Sequence, residues 1–190
     1  MKYIKKFEDI NDTEIFSLIK DEKEWNNDWN KRDPIYHNNI VNRVKELIES
    51  GVDINQLDDE DDTPLISAIY FNQEEIVKML IEAGADLDIQ DSFGRTALFW
   101  ACNKNMALLV QTLIKKCVNL DFVDNNGDTA LTVSSICHYM EIVKLLIEAG
   151  ADWNIKNENG KYFLDWLTFK QRKKIIDLYP EQYEKYLKNN

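Results

Sequence analysis

Thr63-Pro64-Leu65-Ile66-Ser67-Ala68, Thr96-Ala97-Leu98-Phe99-Trp100-Ala101 and Thr129-Ala130-Leu131-Thr132-Val133-Ser134 stand one 33-residue step apart. Each is followed at the same offset by a second apolar run: Ile76-Val77-Lys78-Met79-Leu80-Ile81, Leu109-Val110-Gln111-Thr112-Leu113-Ile114 and Ile142-Val143-Lys144-Leu145-Leu146-Ile147. Two of these runs close on Glu-Ala-Gly-Ala-Asp, at 82–86 and 148–152. A fixed period of this length marks one supersecondary unit used repeatedly, in which no copy can bury its apolar face alone.

The unit reads as two short helices. Leu65, Ala68 and Ile69 fall at i, i+3, i+4, one stripe of a helix. Ile76, Val77, Leu80 and Ile81 make a second stripe, with Lys78 and Glu82 turned to water. Thr63, Thr96 and Thr129 are placed to cap the first helix, and Pro64 is tolerated at its first position because that N–H needs no helical partner. Gly84 and Gly150 sit where the second helix must stop in a left-handed conformation. Asn72, Asn105 and His138 occupy the turn between helices, and Asn and His tolerate positive φ better than most residues. Asp91, Asp124 and Asn157 each precede a glycine by three residues (Gly94, Gly127, Gly160), which reads as a hairpin tip between units; a phosphate cradle would need Gly-Lys-Ser/Thr.

Period, motif and order together resemble the ankyrin repeat. The resemblance implies an all-α repeat protein, an ankyrin-repeat solenoid of about five helix–turn–helix units with hairpin tips and degenerate terminal caps. It places a single domain over residues 1–190, with repeat 1 at about 8–56, repeat 2 at 57–89, repeat 3 at 90–122, repeat 4 at 123–155 and a capping repeat at 156–190. In the last unit Tyr162 replaces the capping threonine, Pro180 cuts the second helix short, and Tyr183 to Leu187 add a final turn. In the first, Thr13 to Ile19 matches Thr63 to Ile69, and Ile40, Val41, Val44, Leu47 and Ile48 form the second stripe. Thr13 lies 50 residues before Thr63, so an insertion is expected near 23–39, between the two helices.

The chain has 190 residues, 44% hydrophobic and 30% charged, with a formal net charge of −11. That balance argues against nucleic acid, whose phosphates need clustered Lys and Arg, and against anionic membrane. It favours a protein partner with a basic surface. Met1 to Phe7 lacks the apolar run of a secretory signal, and no stretch is long enough to span a bilayer. A cytoplasmic protein, monomeric when free and without a cofactor, is the expectation. Cys102, Cys117 and Cys137, with no metal-ligand spacing, read as reduced and mostly buried thiols.

By the resemblance, partners lie along a concave face made by the tips and the exposed ends of the first helices. Carried over by position, that face is Asp59, Glu60, Asp62, Tyr70 and Phe71 in repeat 2, then Ser92, Phe93, Arg95, Asn103 and Lys104 in repeat 3. Repeat 4 adds Asn125, Asn126, Asp128 and Ile136. Tyr70 or Phe71 could instead close onto the next repeat, and Trp100 and Trp166 read as packing. Trp25, Trp29 and Tyr36 in the insertion either add partner contacts or, through Trp25 and Trp29 at i and i+4, prolong the first helix over the end of the stack.

The run Asp58-Asp59-Glu60-Asp61-Asp62 reads as a solvated tip, with Asp61 in place of a turn glycine, as a grip on a cationic partner, or as a cation site. It lacks the alternating ligands and closing glutamate of a calcium loop. His37 and His138 form no evident base–nucleophile pair with a cysteine. The function expected is a non-catalytic adaptor or inhibitor of a basic protein, in its sharpest form a bacterial immunity-type protein masking a toxin. The alternatives are a secreted effector engaging host proteins and, from another class, an enzyme or metal-binding protein using the tip at 58–62.

Overall fold

The computed structural model describes residues 13–27 and 34–189. Among the described residues ten α-helices follow in order: α1 (Glu14–Asn27), α2 (Pro34–Glu49), α3 (Pro64–Tyr70), α4 (Glu74–Glu82), α5 (Ala97–Asn103), α6 (Ala107–Lys115), α7 (Ala130–Ile136), α8 (Met140–Ala149), α9 (Phe169–Leu178) and α10 (Pro180–Asn189). A short 3-10 helix, Phe163–Trp166, stands before α9 where a first helix belongs. Among the described residues there is no sheet, only one bridge between Val123 and Thr129. The chain divides into two compact units, Met1–Asp86 and Leu87–Asn190.

In the first unit α1 packs on α2 and α3, α2 on α4, and α3 on α4. Thr63 starts α3 as expected: its hydroxyl accepts the Ile66 N–H at 3.1 Å, and Pro64 follows at the first helical position. The first six residues of α3, Pro64 to Ile69, are all buried, which is why it carries no charge. Asn72 turns the chain at φ 58°, and buried Gln73 donates its side-chain amide to the Ile19 carbonyl, tying this repeat to the one before it. Arg43 clamps Glu14 with two bonds, 2.9 and 3.1 Å, and so joins α2 to α1.

Of the segment 23–39, residues 23–27 belong to α1 and 34–39 to α2. At 14 residues α1 is twice the length of α3, and α2 has 16 residues against 9 in α4. Trp25 therefore lies in α1 and Tyr36 in α2, while Trp29 is outside the described residues.

In the second unit α5 packs on α6 and α7, α6 on α8, α7 on α8 and the 3-10 helix, and α9 on α10. Thr96 and Thr129 repeat the cap, accepting from Phe99 N at 3.3 Å and Thr132 N at 3.1 Å. Asn105 and His138 both turn at φ 58°, matching Asn72. Leu98, Val110, Leu113, Leu131, Ile142, Leu146 and Phe163 are all sealed from solvent and form the core. Tyr162 cannot cap as threonine does; its N–H donates to Asp165 Oδ2 at 3.0 Å instead, and the helix that follows shrinks to a single 3-10 turn. Thr168 and Gln171 cap α9 reciprocally, at 3.0 and 3.3 Å. Pro180 ends α9 and opens α10, which runs ten residues, longer than the turn expected at 183–187.

The three thiols are not mostly buried, contrary to expectation. Cys102 is buried, but Cys137 is half-buried and Cys117 exposed. Cys117 sits at φ 59° in the helix-ending position that Gly84 and Gly150 fill at φ 89° and 95°. That position faces water, so a thiol there is not part of the core. Trp100 is likewise only half-buried, for a reason that lies in the tips.

Candidate functional site

Each hairpin tip is organised by one side chain at its base. Asp58 Oδ1 accepts the N–H groups of Glu60 (2.9 Å) and Asp62 (3.0 Å). Asp91 Oδ1 does the same for Phe93 (2.9 Å) and Arg95 (2.8 Å), Asp124 for Asn126 (2.8 Å) and Asp128 (3.0 Å), and Asn157 for Asn159 (3.1 Å) and Lys161 (3.0 Å). The residue before the glycine-equivalent position can then point outward, because the backbone no longer depends on it.

The second atom of that side chain differs from tip to tip, and the difference explains the residue choice. Asp91 Oδ2 accepts the Trp100 indole N–H at 2.8 Å. This anchors Trp100 beneath the tip, half-exposed and not in the core as expected. Asp124 Oδ2 accepts the Asn126 amide at 3.2 Å and lies 3.6 Å from Arg95 Nε. At 157 the atom must donate, to Asp128 Oδ1 at 2.9 Å, so asparagine replaces aspartate.

Within the second unit successive tips are stapled to one another. Asn125 N donates to Phe93 O at 2.8 Å and its amide to Ser92 O at 3.1 Å; Glu158 N donates to Asn126 O at 2.9 Å. The approach is close enough that a Cβ on Gly127 would meet Asn157 Cα and Glu158 N at 3.0 Å, which requires glycine there.

On this frame Phe93 is 56% exposed, and the Arg95 guanidinium lies 5.0 Å from its ring centroid, 5.4 Å from Phe99 and 5.1 Å from Trp100. A cation among three rings is held in one place by their negative faces. Ser92, Asn125 and Asn126 stand exposed on the same tips, and Asp128 is half-buried. Burial raises the Asp128 pKa; the Asn157 amide opposes the rise and the Asp124 charge adds to it. Asn103, Lys104 and Ile136, at the ends of α5 and α7, are half-buried, and burial lowers the Lys104 pKa. The structure therefore brings Ser92, Phe93, Arg95, Asn125, Asn126 and Asp128 together in one ladder. Phe99, Trp100 and Asn157 belong with them; the signal for Trp100 and Asn157 was the tip-base Asp/Asn, whose second atom has to find a partner, whereas Phe99 joins through Arg95.

The first unit holds Asp59, Glu60, Asp62, Tyr70 and Phe71. Asp59 and Glu60 are exposed and Asp62 is half-buried. Tyr70 is 43% exposed, its ring edge-on to Phe71 at 5.1 Å. Asp61 takes φ 60°, the turn-glycine role expected of it. Carboxylate oxygens of Asp58, Glu60 and Asp62 lie within 4.8 Å of one another, a grouping that could offer ligands to a cation. The Lys20 ammonium already lies 3.2 Å from Asp58 Oδ2, however, and the other Asp58 oxygen holds the tip backbone. Burial works against the Lys20 charge, but the hydrogen bond and charge of Asp58, with Glu60 and Asp62, outweigh it and raise its pKa. The chain thus supplies its own cation to its most acidic tip. Cys102, with its thiol pushed up to about 12 by burial, is no nucleophile at neutral pH.

No helix among the described residues is long and apolar enough to cross a membrane. No curated protein matches the chain. The family model for ankyrin repeats (three copies) matches residues 8–91 and again 83–157, most of the chain. Paired helices, threonine caps and left-handed turns recur among the described residues of that span, and the chain belongs to the ankyrin repeat family.

Proposed function

We propose that the chain is a non-catalytic adaptor or inhibitor that holds a basic protein with its hairpin tips and first-helix ends. Ankyrin repeats are in general protein-interaction modules. The observation that carries the reading here is the tip ladder of the second unit. Its backbone is fixed by tip-base carboxylates and amides and by tip-to-tip bonds, yet it spends an aromatic ring, Phe93, on solvent. A surface rigid before binding loses little entropy on binding, and an exposed ring on such a frame is the usual form of an interface anchor. The exposed acids of the first unit, Asp59 and Glu60, favour a cationic partner within a chain of net charge −11.

The cytoplasm suits a protein with three unpaired thiols. Masking of a basic toxin by an immunity-type protein is the sharpest form this reading takes. The test is capture from the native source by wild type, by F93S and by D59K/E60K, at low and high salt. A specifically retained protein should be lost with either variant while both variants stay folded. Equal retention by all three would refute the proposed surface.

A further inference from the structure

Residues 168–189 carry six cations against three acids, a net +3 that leaves −14 on the rest of the chain. The charge is concentrated on α9. Ile175 is its buried side, and Arg172 is half-buried, 3.7 Å from Asp165. Phe169 and Lys173, and Lys170 and Lys174, are i,i+4 pairs on the side facing water, and all four are exposed. Phe169, at 86%, is the most exposed large apolar side chain among the described residues. A terminal repeat needs a polar outer skin, but that need does not call for an uncovered phenylalanine.

We propose that this face is a docking site for the acidic tip of a second copy of the chain. The tip offers the matching set: Asp59, Glu60 and Asp61 exposed, beside Leu57 at 50% exposure. Each patch is one uncovered apolar side chain next to three charges, with opposite signs on the two. A bilayer fits less well, since α9 presents one ring and no apolar stripe, and the remaining −14 is repelled by anionic lipid. Tip and cap are different surfaces, so the contact is head-to-tail and can extend beyond two copies. It is weak and strongly salt-dependent, because exposed ion pairs gain little and are screened. It stands whether or not a foreign partner also uses the tip.

The test is sedimentation equilibrium of the full chain at hundreds of micromolar, in about 0.02 M and about 0.5 M salt, where the screening length falls several-fold. Wild type should rise toward dimer mass and beyond at low salt and return to monomer at high salt. D59K/E60K lowers the net charge from −11 to −7 and so weakens general repulsion, yet it should be monomeric. K170E/K173E/K174E should be monomeric too, and an equimolar mixture of the two variants should associate again. Wild type that stays monomeric at low salt overturns the proposal. So do association of D59K/E60K alone, failure of the mixture to associate, and binding to phosphatidylserine vesicles without self-association.

Discussion

Asn157 and Asp128 offer the sharpest test of how the tips are built. The Asn157 amide donates to Asp128 Oδ1 at 2.9 Å, while its oxygen holds the N–H groups of Asn159 and Lys161. Asn157→Asp keeps the shape and both backbone bonds but sets an acceptor against an acceptor. Two ionised carboxylates at that separation would repel by about 6 kcal/mol at an effective dielectric of about 20. Taking up one proton is cheaper: at pH 7 it costs about 4 kcal/mol for a carboxyl of ordinary pKa near 4. The shared proton then restores a hydrogen bond, and solvent at the half-buried Asp128 screens the rest, which leaves a loss of about 2–3 kcal/mol at pH 7.

One carboxyl of the pair has its folded pKa raised above the unfolded value, so the variant's stability is whole below pH ~4 and is lost as pH rises through the raised value. Urea unfolding between pH 4 and 7.5 should show wild type and N157D converging at the acid end and diverging toward neutrality. D128N/N157D exchanges donor and acceptor, and should recover most of the loss at pH 7. A deficit independent of pH, or no recovery in the double variant, would refute the pairing of the tips through these side chains.

Cys117→Gly should stabilise by about 0.5–1 kcal/mol, because a non-glycine residue at φ 59° carries strain that glycine lacks; an unchanged or lower urea midpoint would contradict this. In the folded protein Cys117 should react promptly with a disulfide reagent, whereas Cys102, buried and with its pKa pushed up to about 12, should react only on unfolding. Asp91→Asn turns a donor toward the Trp100 indole N–H and should cost about 1–3 kcal/mol, less in a W100F background, with the coupling read from a double-mutant cycle.

The repeat was legible because its determinants are local. Thr63, Thr96 and Thr129 cap the helix they precede, and Asn72, Asn105 and His138 turn with nearly the same φ, so spacing alone reveals them. Residues with longer reach were harder to place. Trp100 occupies a core position by register, but its indole nitrogen needs a buried acceptor, and Asp91 supplies one at the tip, which draws the ring toward solvent. Cys117 looks like a core thiol by residue type and proves to be a helix terminator, because its backbone conformation, and not its side chain, is the equivalent of Gly84 and Gly150. In the segment 23–39 the Trp25 and Trp29 spacing allowed either a longer first helix or added partner contacts; α1 runs on to Asn27, past Trp25, while Trp29 lies outside the described residues.

The candidate surface is readable to a different depth, for a physical reason. In each tip one oxygen of Asp58, Asp91, Asp124 or Asn157 satisfies the backbone, and the second atom ties the tip to a neighbour: Lys20, Trp100, Asn126 with Arg95, or Asp128. Those two tasks fix the tip-base residue and leave outward side chains such as Asp59 and Phe93 outside the hydrogen bonding that holds the tips. A residue the fold does not need is constrained only by what it touches in a complex. The frame can therefore be argued from chain chemistry alone, whereas the outward side chains bear only on the partner proposed above, a cationic protein with a recess for an aromatic ring. Substitution of Phe93 should accordingly change binding and cost no more than about 1 kcal/mol of stability, the size of its exposed contact with Arg95, while substitution of Asp91 beneath it should change both more strongly.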